Sequence, residues 1–443
     1  MVVAGGGIAG VEALLALREL AGDRVALTLV SANDELVLPA LSVAEPFALG
    51  HAQRYGLVDL LKRVDGRLVP GSLAAVDDQQ REVHLDDGTP LGFDALVIAT
   101  GARAVAVVEH ATTWWPGGDA EAFGGLLRDL EEGYTKRVAF VIPPGAVWPL
   151  PLYEIALMTA REVWGMGIDD SDLTVITPEA VPLAVFGTAA AAALREELDG
   201  VGIHLESATV ARVQPGHPLE IVLQPSTRRL EVDRVIALPG VEGPRIPGTT
   251  QNDAGFILVG ANGQMGDSDC VWAAGDAIAY PVKFGGLASQ QADAVAADLA
   301  ARISGGEPPA PAALTLRGVL MTGATPRRLG GASPTSPADD RPLWRPEAKV
   351  SGTYLTPYLE RLEGAVDPGE RDDAVVVQET LPGVESGEPE AFHALWRAEH
   401  GSPEHLQRLG HEMHDYQARH ERAAEVLRDH GQLGGPRRRS EPG

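Results

Sequence analysis

The chain has 443 residues, of which 44% are hydrophobic and 5% aromatic, and its formal net charge is −26. Such a negative balance argues against nucleic acid and against electrostatic docking on anionic lipid. No stretch approaches the roughly 20 apolar residues of a membrane span and no signal-peptide pattern is present, so we expect a cytoplasmic protein or one peripheral to the membrane. Cys270 is the only cysteine, which excludes an internal disulfide, a redox-active dithiol and a thiolate metal cluster.

The first 20 residues, MVVAGGGIAGVEALLALREL, predict a short strand, a glycine-rich turn and an apolar-periodic helix. The turn has G-x-G-x-x-G spacing and consists of Gly5, Gly6, Gly7, Ile8, Ala9 and Gly10. Gly5 would permit the tight turn, Gly7 the approach of a pyrophosphate and Gly10 close packing of helix on strand. The helix N-terminus would offer N–H groups to the phosphates. Packing alone can also demand such glycines, but the strand–turn–helix context favours a dinucleotide site.

The second predicted strand, within VALTLVSANDE, ends at Ser31, where an acid would be expected to hold the adenosine ribose. A serine hydroxyl can bind a ribose hydroxyl, but more weakly than a carboxylate does. Asp34 and Glu35 follow just beyond.

Two later segments carry further motifs of a nucleotide site. FDALVIATGAR predicts an apolar strand ending in Ala99-Thr100-Gly101. CVWAAGDAIAYPVKFGGLASQQADAVAADLAARI predicts a strand ending in Gly275-Asp276, a loop and a long alanine-rich helix. Each motif alone could be an ordinary strand end followed by a turn, but the three in this order favour one shared site.

The order of the three motifs resembles that of the FAD-dependent pyridine nucleotide-disulfide oxidoreductase superfamily, over about residues 1–360. The chain looks most like its branch of sulfide:quinone oxidoreductases, flavocytochrome c sulfide dehydrogenases and type II NADH dehydrogenases. The resemblance implies an α/β fold with two Rossmann-like domains, the second inserted in the first, and FAD as the cofactor. The implied parts are an FAD-binding domain (1–108 and 240–305), an NAD(P)-like domain (109–239), an acceptor-side region (306–364) and an acidic linker with a helical tail (365–443).

The resemblance also implies which residues hold FAD. Asp276 would bond the ribityl chain, and the helix near Gly286 would point its N-terminus at the flavin N1–C2=O edge, where it stabilises negative charge. Lys283 would add a cation nearby, although a lone lysine is commonly solvated. Leu73 would contact adenine through its backbone, and the loop of Pro39 would approach the isoalloxazine ring. The implied FAD contacts are Gly5, Gly7, Ile8, Ala9, Gly10, Ser31, Pro39, Leu73, Ala99, Thr100, Gly101, Gly275, Asp276, Lys283, Gly286, Leu287 and Ala288.

A second unit of strands and helices runs from about Glu109 to Pro239. Its first loop, within FVIPPGAVWPLPLYE (140–154), occupies the place of a second phosphate-binding turn. Gly145 is the only glycine in that stretch, and prolines at 143, 144, 149 and 151 remove N–H donors, so NAD(P)H binding is doubtful. Glu179, after the next strand, could hold a ribose or could be an exposed turn acid.

The proline-rich loop resembles that of the sulfide oxidoreductases, where the resemblance would place a catalytic cysteine at about Val147. Valine cannot attack sulfide. Trp148 could face the flavin, wall a nicotinamide pocket or simply bury its indole against the following helix. Val147 and Trp148 are thus donor-side residues without an assigned donor, and no side chain stands out as a catalytic acid, base or nucleophile.

The C-terminal part carries weaker signals. Trp344, Tyr354 and Tyr358 could form an aromatic slot for a planar quinone, or could be core. Residues 365–386 are predicted to be disordered, and 406–427 have a heptad-like seam for docking on the body, for a homodimer or for a partner helix. Several histidines lie in this tail, but no complete ligand set appears, so we predict no metal site.

We therefore expect an FAD-dependent oxidoreductase that passes electrons from an unassigned small-molecule donor through flavin to a quinone or other acceptor. One alternative is an NAD(P)H dehydrogenase that uses the divergent second nucleotide domain. The other is a non-catalytic FAD-binding redox sensor or scaffold that acts through the tail.

Overall fold

The computed structural model describes residues 1–115, 120–266, 268–310, 312–329, 352–363 and 375–376. The strands are β1 Val2–Ala4, β2 Leu27–Ser31, β3 Glu35–Leu38, β4 Gln53–Gly56, β5 Gly66–Pro70, β6 Leu73–Asp77, β7 Glu82–Leu85, β8 Pro90–Gly92, β9 Leu96–Ile98, β10 Arg103–Val105, β11 Thr112–Thr113, β12 Arg137–Val141, β13 Asp172–Ile176, β14 His204–Glu206, β15 Val210–Gln214, β16 Leu219–Gln224, β17 Arg229–Val232, β18 Arg234–Ala237, β19 Gly240–Glu242, β20 Val271–Ala273, β21 Gly318–Leu320, β22 Arg327–Leu329 and β23 Val375–Val376. The helices are α1 Ile8–Ala21, α2 Leu57–Arg63, α3 Ala120–Glu131, α4 Leu150–Gly165, α5 Thr188–Gly200, α6 Gly285–Ile303 and α7 Leu355–Glu363.

The first sheet is fully parallel, with strand order β20-β9-β1-β2-β5. Its strands β1, β9 and β20 are short runs of buried apolar residues, as expected where both faces of a parallel sheet are covered. Helices α1, α2, α6 and α7 contribute to the apolar core on one face. The antiparallel β6-β7-β8 sheet contributes to the core on the other.

The second sheet is also parallel, with order β11-β18-β12-β13-β14, and is built from residues that lie between β9 and β20 in the chain. Helices α3, α4 and α5 cover one face and the antiparallel β15-β16-β17 sheet covers the other. This is an α/β protein of two Rossmann-like units with the second inserted in the first, which confirms the predicted fold class. The exact domain boundaries stay predictions.

The C-terminal part of the described chain packs on both units. Strand β21 lies against the second unit, because a Cβ at Gly318 would stand 2.8 Å from the Phe186 ring. Strand β23 pairs with β22, Arg327 opposite Val375, so the prediction of disorder for 365–386 is wrong at these two residues. Trp344, the seam at 406–427 and the tail histidines lie outside the described residues. Within the described ranges, no helix combines the length and apolar character needed to cross a bilayer.

Candidate functional site

A cavity of about 680 Å³ lies where the strands of the first sheet end at their carboxyl termini. It is bordered by the residues that follow β1, β2, β5, β9 and β20, and this crevice is where open parallel sheets bind ligands. The sequence-predicted residues that line it are Gly5, Gly7, Ile8, Ala9, Ser31, Pro39, Leu73, Ala99, Thr100, Gly101, Val147, Trp148, Gly275, Asp276, Lys283 and Ala288. The structure therefore brings together motifs that are 270 residues apart in the chain.

The turn between β1 and α1 has the geometry that close approach to a phosphate requires. Gly5 has φ +119°, and a Cβ there would stand 2.1 Å from the carbonyl oxygen of Ala99. A Cβ at Gly10 would stand 1.8 Å from the carbonyl oxygen of Gly5, so strand and helix touch through backbone. A Cβ at Gly7 would meet nothing within 4 Å, and no side chain caps α1. The first N–H groups of α1 are thus left for an anion in the cavity.

The hydroxyl of Ser31 lines the cavity but is committed to its own turn. Its Oγ donates to the carbonyl oxygen of Asn33 at 2.7 Å and accepts the Asn33 N–H at 3.3 Å. Glu35 also lines the cavity, and its partly exposed carboxylate pairs with Arg54 at 3.4 Å. A ribose at this edge would therefore meet the carboxylate of Glu35 as well as Ser31, which sequence spacing alone did not assign.

Asp276 and Lys283, an acid and a base, also line the cavity. Burial raises the pKa of Asp276 and the charge of Lys283 partly offsets it. Burial lowers the pKa of Lys283 to about 8, and Asp276 opposes that shift. The Lys283 ammonium donates to the carbonyl oxygen of Ile278 and lies 4.0 Å from the centre of the Phe256 ring. Lys283 is 7% exposed, so the alternative of a solvated side chain does not hold.

Three predicted contacts lie off the cavity wall, namely Gly10, Gly286 and Leu287. Gly10 acts through the close helix–strand packing already described. Helix α6 begins at Gly285, which does line the cavity, while a Cβ at Gly286 would stand 2.9 Å from the Phe284 ring and Leu287 is 3% exposed. The helix N-terminus reaches the cavity through Phe284, Gly285 and Ala288 instead.

The proline-rich loop, residues 142–149, forms part of the same cavity wall. Ala146, Val147 and Trp148 line the cavity, followed by Leu150 and Pro151 of α4. The Trp148 ring stacks on Phe284 at 4.4 Å and meets Phe186 edge-on at 5.4 Å. Trp148 therefore packs on two aromatic side chains and also lines the cavity, and whether it faces flavin or nicotinamide stays a prediction.

The apolar part of the cavity comes from the carboxyl edge of the second sheet. Trp114 follows β11, Val147 and Trp148 follow β12, and Leu238 follows β18. The two sheets thus point their carboxyl ends at one shared cavity. Such a surface suits a planar, mainly apolar molecule.

Glu154 is a functional candidate that sequence reasoning did not assign. It lies on α4, lines the cavity and is fully buried, and its Oε1 accepts the N–H of Met321 at 2.8 Å. The available signal was one acid in an otherwise apolar helix start, LPLYEIAL. A buried carboxyl group beside a ligand cavity can hold and deliver a proton.

Glu179 is neither exposed nor placed as a ribose ligand. Tyr153, fully buried, donates its hydroxyl to Glu179 Oε2 at 2.5 Å, and the Leu183 N–H donates to Oε1 at 3.0 Å. Burial, with the charge of Glu179, raises the pKa of Tyr153 well above its usual range, so the phenol stays a neutral donor. The prediction of an exposed turn acid is wrong, and the carboxylate is used within the fold.

The predicted aromatic slot is not formed at the cavity by the residues that the structure describes. Tyr354 and Tyr358 lie at α7, which packs on α1, and neither lines the cavity. Tyr358 is 5% exposed and belongs to the core. For these two residues the packing interpretation holds.

Comparisons with known proteins agree with this geometry. Residues 1–135 match the family model of the pyridine nucleotide-disulphide oxidoreductases. Over 316 residues the chain is 28% identical to the ferredoxin–NAD(+) reductase component of the biphenyl dioxygenase system of Paraburkholderia xenovorans, covering 65% of this chain and 70% of that protein. Over 328 residues it is 29% identical to the ferredoxin reductase component of a Cupriavidus chlorobenzene dioxygenase, covering 67% and 73%.

The fold is similar to that of the sulfide:quinone oxidoreductase of Aquifex aeolicus, with a TM-score of 0.66 and 20% identity, covering 82% of this chain and 89% of that one. The fold and the motifs together define an FAD-dependent oxidoreductase. The family match over residues 1–135 and the relatives fit the FAD-dependent pyridine nucleotide-disulfide oxidoreductase superfamily that the three motifs resemble. The uncapped start of α1, the open space at Gly7 and the cavity size fit FAD, with the phosphates at the turn.

Proposed function

We propose that the protein passes electrons from a small donor other than NAD(P)H to a planar, apolar, quinone-like acceptor. The observation that carries the proposal is the placement of the proline-rich loop: Val147 and Trp148 stand in the wall of the cavity that the FAD motifs line. Trp114 and Leu238 complete an apolar surface there. FAD, when bound, supplies the two-electron chemistry.

The residues of the chain have separate tasks in this proposal. The start of α1 holds the pyrophosphate, and the start of α6 with Lys283 stabilises negative charge on the cofactor. Trp114, Trp148 and Leu238 exclude water and orient a flat ligand. A quinone that accepts two electrons takes up two protons, and Glu154 delivers one of them at its carboxyl oxygen.

Two features argue against NAD(P)H as the donor. The loop between β12 and α4 has eight residues, and three of them are prolines, so few N–H groups remain for a pyrophosphate. Glu179, the acid that the sequence offered as a ribose ligand, instead accepts hydrogen bonds from Tyr153 and Leu183.

An NAD(P)H-dependent reductase remains the second candidate, because both curated relatives named above are ferredoxin reductase components, one of them described as acting with NAD(+). The second parallel sheet with its covering helices supports it as well. The redox sensor or scaffold depends on the C-terminal tail, which lies outside the described residues.

Anaerobic titration of the FAD-loaded protein separates the first two candidates. We expect the flavin absorption band to persist with NADH and NADPH, and the dithionite-reduced protein to be reoxidised rapidly by a soluble quinone. Prompt bleaching by either nucleotide would overturn the donor part of the proposal. Slow reoxidation by quinone, with rapid reoxidation by a ferredoxin, would overturn the acceptor part.

A variant of the proline-rich loop tests whether the quinone binds at the apolar wall of the cavity. Val147→Asp puts a carboxylate into it and should raise the KM for quinone at least tenfold, since an unpaired charge there is costly to desolvate. Val147→Leu, which keeps the surface apolar, is the control. Equal effects of both variants would show that the quinone binds elsewhere.

A further inference from the structure

Helix α1, helix α6 and the start of α7 meet at two carboxyl groups, those of Glu12 and Asp293. Glu12 of α1 is fully buried, and its two oxygens accept the N–H groups of Tyr354 at 2.8 Å and Leu355 at 2.7 Å. These are the residues at which α7 begins. Asp293 of α6 accepts the Thr353 hydroxyl at 2.6 Å. Residues 353–355 are thus held by two acids that come from two different helices.

The fit around Glu12 leaves no room for a counter-ion. A Cβ at Gly352 would stand 2.4 Å from Glu12 Oε2, and the Gly352 N–H donates to Thr356 at 2.8 Å. The buried Oδ1 of Asp293 receives no donor from the rest of the described residues, and the group facing it is the Glu12 carboxyl. A proton on Glu12 supplies the donor that this oxygen lacks.

The charged and titratable groups around the pair do not neutralise it. Asp293 faces Glu12 from α6, Tyr354 faces both from the start of α7, and Glu19 of α1 acts on Tyr354. Arg63 of α2 lies 5.7 Å from the Tyr358 ring and, with Asp59 and Arg361, acts on that phenol. Burial first, and then Asp293, raise the pKa of Glu12 from 4.5 to about 8; burial also raises the pKa of Asp293.

We propose that Glu12 and Asp293 share one proton and form a pH-sensitive latch that holds residues 352–363 on α1 and α6. With the proton present, the two carboxyl groups bond to each other and to the start of α7. Without it, the fully buried Glu12 carboxylate and the half-buried Asp293 carboxylate repel, and α7 must separate for Glu12 to reach water. Leu355 and Leu359, 0% and 3% exposed when docked, would then be uncovered.

The direction of the pH dependence follows from the direction in which the pKa of Glu12 is shifted. The raised pKa of Glu12 means that the docked state holds a proton which the undocked state releases above about pH 4.5. The equilibrium constant for docking of α7 is therefore largest at low pH. It falls up to tenfold per pH unit, because one proton is released, and stops falling above about pH 8. Since α1 and α6 also border the cavity, the latch connects the attachment of α7 to the two helices of the nucleotide site.

Hydrogen–deuterium exchange of the FAD-loaded full chain tests the latch. Protection of peptides within 352–363, corrected for intrinsic exchange, should fall at least tenfold between pH 6 and pH 8.5. Peptides of α4 report on the rest of the fold, and Glu19→Gln, an exposed acid on the same helix, should behave like the wild type. Constant protection of 352–363 across this range would overturn the proposal.

The matched variant is Asp293→Asn, which separates a latch from a purely structural contact. Its amide oxygen still accepts the Thr353 hydroxyl, and its N–H groups can donate to an ionised Glu12, so no shared proton is needed. We expect residues 352–363 to stay protected in this variant at both pH values. If protection falls with pH as in the wild type, or is lost at every pH, the shared proton is not what holds α7.

Discussion

The two strand-to-helix turns of this protein occupy equivalent places in their sheets and differ in length and chemistry. Between β1 and α1 stand three residues, Gly5–Gly7, and between β12 and α4 stand eight, 142–149. The first turn opens N–H groups toward the cavity. The second sends Val147 and Trp148 into the wall of that same cavity. One nucleotide-type unit thus binds cofactor, while its counterpart, we propose, shapes the space beside the cofactor.

The largest expected effect is a loss of bound FAD when a methyl group is added to the first turn. The same addition to the second turn is the comparison. Gly10→Ala places a Cβ 1.8 Å from the Gly5 carbonyl oxygen, so α1 must move and most bound FAD should be lost. Gly145→Ala only strains a residue with φ +81°, at about 1–2 kcal/mol, and should keep its FAD. Flavin content per chain and Tm measure both. Equal losses of FAD would mean that the second turn also supports the cofactor.

Glu154→Gln tests whether the second unit delivers a proton as well as a surface. The amide oxygen can still accept the Met321 N–H, but the group no longer gives up a proton. We expect quinone reduction to slow about a hundredfold. The rate of ferricyanide reduction, which takes one electron and no proton, should stay within twofold of the wild-type rate. A parallel fall in both reactions would point to a structural role for Glu154.

Lys283→Met tests the electrostatics of the cofactor side. Loss of the one cation among the described cavity-lining residues should lower the flavin midpoint potential by about 30 mV, tenfold in the redox equilibrium. Because burial lowers the pKa of Lys283 to about 8, the ammonium is present below that pH and is lost above it. The difference between variant and wild type should therefore be largest below pH 8 and shrink above it. Lys283→Arg, titrated against redox dyes in the same way, should keep the wild-type potential.

The smallest expected effect concerns the acid of the second unit. Tyr153→Phe removes one donor from Glu179 and should cost about 1–2 kcal/mol of unfolding free energy, with FAD content unchanged. Urea denaturation measures this. The appearance of NADH-dependent flavin reduction in the variant would show that a freed Glu179 can serve a nucleotide.

Local chemistry explains which parts of the site could be predicted from the sequence. Glycines at 5, 7 and 10 act within one turn, and the Ala99-Thr100-Gly101 and Gly275-Asp276 motifs each end a buried strand, so short-range pattern is enough to recognise them. Gly286 and Leu287 lie off the cavity wall while Gly285 and Ala288 line it, since only backbone geometry decides which residues of a helix start face a cavity.

The remaining features depend on contacts between distant segments. Lys283 is buried because Phe256 and Ile278 cover it, and Glu154 meets Met321 across 167 residues. Tyr354 and Tyr358 lie on α1 rather than at the cavity because Glu12, more than 340 residues earlier, binds the start of α7. No local pattern encodes such pairings, since burial and shared protons arise only after the two sheets and the last helix have packed. The sequence by itself determined the fold class and the first turn, and the tertiary structure decided what the second turn and the buried charges do.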